Sequence, residues 1–450
     1  MADAKKIQIA GVTYNLKDQA ANTDIDNLTS RVSTLETNVN NLQEDKLDAD
    51  FNSNGYLGIA DITSTLDYMI DKGTTQATIT IGKLGTDAAY CTRYLCNGTN
   101  DKEKFQEAID ALPENGGKIV ILEGEYNINE VLSCTKNIIF EGMGTNSTII
   151  NYNGIKDSAS CGLFTIDTDD LNIVFNNIGF NICGYLYEFD VKQEEYLFMS
   201  DFTNNSLSFN NCKFYNTSSN KLKFQGYYER ILLFSLISTV NMINTDIDLY
   251  IQSDSNAYCA SIFDGGTFVN IINCNITLNI NNINDFHLIR AIGGASSNSN
   301  NNITNCKIAF NGSGTNVDLG DRSRITNCLI TIGSNTGMSF GSCFHSGCNV
   351  YMNCKITCSK AVYLNAVKVI GCSIYSGSDI FIIPGTGYNI CVLYGNIISV
   401  TGTIKCYRNT IKVIFIGNMT NKSITSITNS KTGSVIANNA YDTINYAYLL

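Results

Sequence analysis

Two pairs of residues have types and spacing suited to acid–base chemistry. In Asn244-Thr-Asp246-Ile-Asp248-Leu-Tyr250, apolar and polar residues alternate, so Asp246, Asp248 and Tyr250 share one side of a predicted strand. Side chains two positions apart on a strand lie roughly 7 Å from each other. That separation falls within the ~6.5–9.5 Å between the acid and the base of an inverting glycoside hydrolase. The second pair is Asp285 and His287. We favour ordinary solvated surface residues for both pairs, so the pattern alone assigns no catalytic residue.

A cluster of cysteine and histidine raises the question of a metal site. It comprises Cys343-Phe-His345-Ser-Gly-Cys348, with Cys354 and Cys358 further along. The spacing matches neither a zinc knuckle nor a zinc ribbon, and Cys354 and Cys358 have the same strand parity as the apolar Ile356. We therefore favour a buried row of cysteines plus a loop over a zinc site. No phosphate loop, nucleophile elbow or zincin helix is found, and no cofactor is expected.

A short repeat, Asn-Cys-x-Ile or Asn-Cys-x-Phe, recurs through the second half of the chain, with Gly replacing the Asn in one copy. Around Cys274, the residues Ile272, Ile276 and Leu278 share its parity while the intervening residues are polar, which places the cysteine on an inward, apolar side. Stacking one such strand per coil buries this side, as in a solenoid. The predicted core ladder comprises Cys212, Cys274, Cys306, Cys328, Cys354, Cys372 and, in a later copy, Asn396.

The repeats follow a quasi-period of about 22 residues, which is typical of stacked coils. The longer gap between Cys212 and Cys274 leaves room for two or three coils or for an insertion. The Asn before each cysteine suits a tight turn, because Asn tolerates left-handed backbone and bonds to its own backbone.

The N-terminal region predicts an attachment hairpin and a stalk. Residues 5–18 alternate with a period of two around Gly11, which indicates a short β-hairpin. A heptad follows, with alternating steps of three and four, which predicts a coiled coil of roughly 35–40 Å. A single amphipathic helix is the alternative, and the pattern does not set the number of strands. The predicted self-association residues are Ile25, Leu28, Val32, Leu35, Val39 and Leu42.

Composition excludes several classes of protein. The net charge is −11, which disfavours binding to nucleic acid because phosphates are repelled. Hydrophobic residues make up 44%, so wholesale disorder is excluded. No apolar run reaches 18 residues, and we expect neither membrane insertion nor a signal peptide. The 17 cysteines are an odd number in a long chain, which argues against a small disulfide scaffold.

Residues 98–150 carry the clearest resemblance to a known family. Gly98-Thr99-Asn100-Asp101 opens an amphipathic helix that Gly116-Gly117 closes, an apolar strand runs from Lys118 to Leu122, and Ile138-Ile139-Phe140-Glu141-Gly142 follows. This order resembles the entry to pectate-lyase-like right-handed parallel β-helices, a module common in phage tailspikes and tail fibres. Where that family often has proline after the first strand, this chain has Glu123-Gly124.

The resemblance implies a fold and a set of partners. The fold expected is all-β: a right-handed parallel β-helix (solenoid) with an N-terminal β-hairpin and a trimeric coiled-coil stalk. It implies a homotrimer that contacts phage tail or baseplate proteins through its N-terminus and binds a bacterial cell-surface receptor or glycan. The expected location is the virion of a phage or a tailocin-like particle, after synthesis in the host cytoplasm.

The predicted organisation has five parts. They are residues 1–20 (attachment hairpin), 21–50 (coiled-coil stalk), 51–97 (neck), 98–420 (β-helix with a capping helix) and 421–450 (C-terminal cap or trimer contact). A structural, receptor-binding fibre is the leading interpretation of function. A polysaccharide depolymerase, either a hydrolase or a lyase, is the alternative. A bacterial adhesin or secreted pectate lyase is disfavoured by the expected absence of a signal peptide.

Overall fold

The structure, a computed structural model, is nearly all β within the residues that it describes. These are residues 6–9, 12–15, 33, 77–86, 92–99, 101–128, 130–154, 162–185, 197–200, 202–224, 229–235, 237–264, 268–290, 301–312, 316–320, 323–333, 337–339, 349–365, 367–383, 390–406, 412–422, 435–437 and 439–441. The chain divides into two units, Met1–Thr74 and Thr75–Leu450. Within these residues, no helix has the length and apolar character needed to cross a membrane.

The first unit contains the expected hairpin. Strands Lys6–Ile9 and Val12–Asn15 pair antiparallel, with Lys6 opposite Asn15. Of the stalk predicted at 21–50, only Ser33 is described. The six heptad residues therefore lie outside the described residues, and the coiled coil stays a prediction.

The second unit is a parallel β-solenoid whose strands stack into three faces. Face 1 is a 15-stranded parallel sheet. Its strands, in chain order, are Ala77–Lys83, Tyr94–Cys96, Gly117–Ile121, Ile138–Gly142, Asn172–Asn176, Ser206–Asn210, Thr239–Ile243, Phe268–Ile272, Asn301–Thr304, Ser323–Thr326, Val350–Met352, Lys368–Ile370, Ile390–Tyr394, Lys412–Ile416 and Val435–Ala437.

The other described strands of this unit form one sheet that bends into faces 2 and 3, because two long strands, Asp246–Asp264 and Asn275–Arg290, run across both. Besides the first halves of these long strands, face 2 contains Gly124–Asn127, Thr148–Gly154, Gly179–Tyr185, Lys213–Tyr215, Leu222–Phe224, Lys307–Gly312, Leu329–Ile332, Lys355–Cys358, Ser373–Ser376, Ile397–Val400, Met419–Thr420 and Ala440–Tyr441. Besides their second halves, face 3 contains Leu132–Cys134, Phe164–Ile166, Phe198–Ser200, Glu229–Ser235, Asn316–Asp318, Gly337–Ser339, Val362–Asn365, Ile380–Ile383 and Ile404–Cys406.

In-register stacking places like residues on like and fills the interior. On face 1, the rings of Phe140 and Phe175 stack with centroids 4.8 Å apart, and Phe209 continues the stack at 5.1 Å. On face 2, Phe180 and Phe214 stack at 4.8 Å. Such spacings match the ~4.8 Å between paired strands. The parallel, nearly all-β architecture predicted from the repeat is therefore confirmed in the described residues.

The corner between faces 1 and 2 explains the Asn of the repeat. Its residues adopt left-handed backbone with φ between 50° and 58°, which Asn tolerates far better than branched residues do. Later coils use glycine at the same corner, with φ of 61°, 64° and 66° at Gly371, Gly395 and Gly417. The Asn members are Asn177, Asn211, Asn244, Asn273, Asn305, Asn327 and Asn353.

The N-terminal end of the solenoid is covered by the helix Asp101–Asp110, which buries Phe105, Ala108 and Ile109. Buried Asp101 fixes the start of this helix. Its carboxylate accepts hydrogen bonds from the Gly98 amide (2.7 Å), the Asn127 amide (2.8 Å) and the Lys83 ammonium (3.0 Å). The helix therefore caps the first coil, which would otherwise expose its core.

The sheet extends past both expected boundaries of the β-helix. Strand Ala77–Lys83, which we expected in the neck at 51–97, pairs in parallel with Gly117–Ile121 on face 1. Its alternating Ile79 and Ile81 are buried, so it belongs to the core. At the other end, Val435–Ala437 and Ala440–Tyr441, within the expected cap at 421–450, add a further rung to faces 1 and 2.

Candidate functional site

Face 2 contains a notch where one strand is shorter than its paired strand in the preceding coil. The long strand Asn275–Arg290 continues beyond Ile280, whereas the next strand, Lys307–Gly312, ends opposite that residue. On the other side, Leu222–Phe224 pairs with Ile251–Ser253 and brings Lys221 to the rim. The notch therefore arises from unequal strand lengths in consecutive coils.

Gly312 allows the strand to end there. Its φ of 130° is a conformation that L side chains rarely adopt. A Cβ at this position would lie 1.8 Å from the carbonyl oxygen of Ile280. Only glycine fits at this end of the strand without moving the backbone.

The notch has a volume of about 200 Å³ and is open to solvent. This is below the ~300–1,000 Å³ of enclosed small-molecule pockets, so it suits one unit of a longer chain lying along the face. The lining residues are Lys221, Tyr250, Ile251, Asn279, Ile280, Asn281, Asn311 and Gly312.

Polar groups in the notch retain hydrogen-bonding capacity. Tyr250, Asn279 and Asn311 occupy the same position in three consecutive rungs. The Asn311 amide donates to the Asn279 side-chain oxygen at 3.2 Å, and the Lys221 ammonium donates to the Gln252 oxygen at 3.0 Å. Among the described residues, the side chains of Asn279 and Asn311 make no other hydrogen bond, so one further N–H₂ and one oxygen face outwards.

Tyr250 is positioned by a buried asparagine. Asn216 accepts from the Tyr250 amide at 2.7 Å and donates to the Tyr250 carbonyl at 3.1 Å and to the Ile182 carbonyl at 2.9 Å. Its side chain therefore links the backbones of the coils on either side. Sequence reasoning missed Asn216 because it follows no repeat pattern.

The predicted carboxylate pair lies on the same strand as Tyr250 but outside the notch. Asp246 is half-buried and accepts from the Asn275 amide at 2.8 Å, while Asp248 is exposed. In the neighbouring strand, Lys213 and Tyr215 stand opposite them, with the Lys213 ammonium 5.1 Å from the Tyr215 ring centre. The structure thus places both carboxylates on the outward side of one strand, and Tyr250 alone of the predicted trio lines the notch.

The second predicted pair is separated from the notch. The His287 ring nitrogen Nδ1 lies 3.9 Å from Asp318 Oδ2, and their side chains are only 14% and 3% exposed. Asp318 also accepts from the Gly320 amide at 2.9 Å. The side chain of Asp285 lies outside the described residues. His287 therefore takes part in a largely buried contact on face 3 with an aspartate that sequence reasoning did not identify.

The predicted ladder residues lie together in the core. All six cysteines and Asn396 are buried, and each cysteine thiol lies 3.2–3.5 Å from the carbonyl oxygen two residues earlier. Thr245 occupies the rung between Cys212 and Cys274, with its hydroxyl 3.3 Å from the Cys212 amide. The long gap in the sequence is therefore two coils, and the ladder continues through Asn418.

Burial raises the pKa of the Cys212 thiol from 9.0 to about 12, which makes this thiol a poor nucleophile and a poor metal ligand. In the described part of the chain, no group of three or more Cys, His, Asp or Glu side chains is placed to hold a metal ion. Cys343, His345 and Cys348 of the considered zinc cluster lie outside that part, whereas Cys354 and Cys358 are core residues.

No protein-family model matches the sequence, and no curated protein matches it. Among solved structures, a chain described as ORF18 of Geobacillus virus E2 matches with 14% identity and a TM-score of 0.29. The match covers 86% of this chain and 63% of that chain. A TM-score at that level is too low to establish a common fold or function.

Proposed function

We propose that the chain is a tail-fibre-like protein of a phage or phage-derived particle, and that its face 2 notch binds a glycan of a bacterial surface. The in-register row Tyr250, Asn279 and Asn311 carries this proposal. It combines an aromatic ring with outward amide donors and acceptors, beside the Lys221 ammonium. Sugar hydroxyls both donate and accept, and sugar rings pack on aromatic side chains, so this set is complementary to a saccharide.

The particle is inferred from the arrangement of the chain. The entry motif at residues 98–150 resembles that of tailspike and tail-fibre β-helices, and it precedes a solenoid with an N-terminal cap. The heptad from Ile25 to Leu42 supports self-association in a stalk. The resemblance implies that this stalk is a homotrimer and that the hairpin at 1–20 contacts tail or baseplate proteins. Right-handed winding is part of the proposal, because about 98% of parallel crossovers have that hand.

Three copies would strengthen a weak site. A shallow notch of about 200 Å³ offers few contacts, so a single copy is expected to bind a surface glycan weakly. Linking binding sites raises the effective concentration for the second and third contacts, and avidity rises by roughly 10²–10⁴. A trimeric fibre facing a repetitive polysaccharide meets this condition.

Cleavage of the glycan is the second candidate function. Its support is the pair Asp246 and Asp248, which share an outward row with Tyr250. The roughly 7 Å between alternate side chains suits an inverting acid and base. The pair lies beside the notch rather than within it, which is why binding is the leading proposal.

Binding is tested with a panel of purified bacterial capsular and cell-wall polysaccharides on a biosensor. For a polysaccharide that the unsubstituted chain binds, we expect Tyr250→Ala and Asn279→Ala each to weaken binding about tenfold, equivalent to ~1.4 kcal/mol. The matched control is Tyr375→Ala, since Tyr375 is another half-buried, outward tyrosine of face 2. Equal binding by all variants, or no binding to any polysaccharide, contradicts a glycan site at the notch.

Cleavage is tested on the same polysaccharides by the release of oligosaccharides. Release that Asp246→Asn and Asp248→Asn both abolish, with binding retained, supports a depolymerase. Intact polysaccharide after prolonged incubation with the unsubstituted chain leaves binding as the function.

A further inference from the structure

The outward row of face 1 next to the face 2 corner is mixed in the earlier coils and apolar in the later ones. In the earlier coils, the outward positions carry asparagines that bond to one another, such as Asn270 and Asn302 at 2.9 Å, beside Ile243 and Ile272. In the later coils, the outward positions carry Ile370, Val392, Tyr394 and Ile416, and the lysines Lys368 and Lys412 lie further from the corner. The interior is equally apolar in both regions, so the change concerns only the outer surface.

The later strands are apolar on both sides. In Ile390–Tyr394, the residues Cys391 and Leu393 are buried in the core, while Ile390 and Tyr394 on the outside are 48% and 55% exposed. In Lys412–Ile416, Val413 and Phe415 are buried while Ile414 and Ile416 lie outside, and Lys412 is at the end away from the corner. Parallel strands that read as near-continuous hydrophobic runs are typically covered on both faces. The described residues supply no cover for the outer side of these strands.

The apolar surface continues around the corner onto face 2. Ile397 and Met419 are register neighbours there, and they are 38% and 43% exposed. In the earlier coils the same row carries Lys213, Asp246, Asn275 and Lys307. Both sides of one corner therefore become apolar over the same coils. We call the set Ile370, Val392, Tyr394, Ile416, Ile397 and Met419 the apolar corner.

We propose that the apolar corner is a contact between copies of this chain, in which the face 1 side of one copy packs on the face 2 side of the next. Two adjoining sides of a convex corner cannot both be covered by one flat partner. A head-to-tail ring covers both, because each copy contributes one side to each neighbour. Three copies close such a ring around the corner, in agreement with the homotrimer of the proposed function, on which this inference rests.

The size of the corner indicates that it works together with the stalk. Three rungs at ~4.8 Å and strands of up to five residues at ~3.3 Å each give roughly 240 Å² on face 1, and the row on face 2 adds about 100–200 Å². A standard interface buries about 800 Å² per partner. The corner alone is therefore too small for tight association, and it aligns copies that the heptad already holds together.

The test combines sedimentation with photocrosslinking of the full chain. We expect the unsubstituted chain to sediment as a trimer. With Tyr394 replaced by p-benzoylphenylalanine, irradiation should link copies covalently. The same replacement at Tyr363 is the control, since Tyr363 is an outward aromatic of face 3, away from the corner. As a second variant, Met419→Lys should reduce the crosslinked yield at Tyr394 at least fivefold by placing a charge in the contact.

The outcomes separate this contact from the proposed function. A trimer without linkage at Tyr394, or with equal linkage at Tyr363, overturns the corner contact and leaves the trimer standing. A monomer at all concentrations overturns the corner contact and the homotrimer together, while the polysaccharide measurements decide the notch independently.

Discussion

Asn216 offers a test of how the notch is positioned. Asn216→Ala removes three hydrogen bonds, to the amide and carbonyl of Tyr250 and to the carbonyl of Ile182. Asn216 is only 7% exposed, so water replaces these bonds poorly. At about 1 kcal/mol for each bond, the free energy of unfolding should fall by about 3 kcal/mol. That loss lies within the 5–15 kcal/mol that holds a typical domain together, so the variant should still fold.

The same substitution should loosen Tyr250. Reordering a released segment on binding costs about 0.5–1.5 kcal/mol, which corresponds to a roughly 2- to 13-fold weaker affinity for a polysaccharide that the unsubstituted chain binds. A readout independent of any ligand is hydrogen exchange of the Tyr250 amide, which donates to Asn216. Loss of a bond worth about 1 kcal/mol should speed this exchange about fivefold.

Asn205→Ala provides the matched control. Asn205 is a fully buried asparagine that accepts from the Leu171 amide at 2.8 Å and donates to the Ser200 hydroxyl at 2.7 Å, away from the notch. Its removal should lower the unfolding free energy by about 2 kcal/mol without changing exchange at Tyr250 or polysaccharide binding. Unchanged exchange at Tyr250 in Asn216→Ala, or equal loss of binding in both variants, refutes the positioning role.

Three further predictions concern the cap and the core. Asp101→Asn removes the charge that pairs with Lys83 beneath the capping helix, so chemical denaturation should show a loss of about 3 kcal/mol; a loss below about 1 kcal/mol contradicts that role. Burial raises the pKa of Cys212 from 9.0 to about 12, so the unfolded chain ionises this thiol first. The contribution of this neutral, buried thiol to the free energy of unfolding is intact below pH 9 and is lost as the pH rises towards 12; the loss is ~1.4 kcal/mol at pH 10. Cys212→Ala should therefore reduce the fall in unfolding free energy between pH 8 and pH 10. An identical fall in both chains contradicts the raised pKa of Cys212. Iodoacetamide should leave the six ladder cysteines unmodified in the folded chain and modify all of them in urea, as read by peptide mass spectrometry; labelling of the folded chain shows that the ladder faces solvent.

Strand parity and repetition were enough to predict the solenoid. The alternation around Cys274 placed Ile272, Ile276 and Leu278 on one side, and the structure buries Cys274, Ile276 and Leu278 in the core. The Asn at each turn followed from its tolerance of left-handed backbone. These features depend on neighbours within one short strand, so a single copy of the repeat already contains the information.

Features that depend on several coils were not predicted. Thr245 fills a ladder rung although it is not a cysteine, because its hydroxyl donates to the Phe209 and Ile243 carbonyls, which are equivalent to those that the Cys212 thiol contacts one coil earlier. The notch depends on where Lys307–Gly312 ends relative to the coil below, and no local pattern encodes that difference. Strand Ala77–Lys83 was assigned to the neck because the helix Asp101–Asp110 separates it in sequence from the strand with which it pairs.

The candidate site was predicted only in part for the same reason. Tyr250 was recognised from its parity with Asp246 and Asp248, whereas Asn279 and Asn311 joined it only through register across coils. Asn216 and Asp318 are single residues outside any repeat. Their roles come from contacts between coils, which parity within one strand does not reveal.

A crystal structure of the chain with an oligosaccharide from a polysaccharide that it binds tests the central claim most directly. The account predicts a saccharide unit in the notch, packed on Tyr250 and hydrogen-bonded to Asn279 and Asn311. Saccharide density on another face, with the notch containing only water, would contradict it.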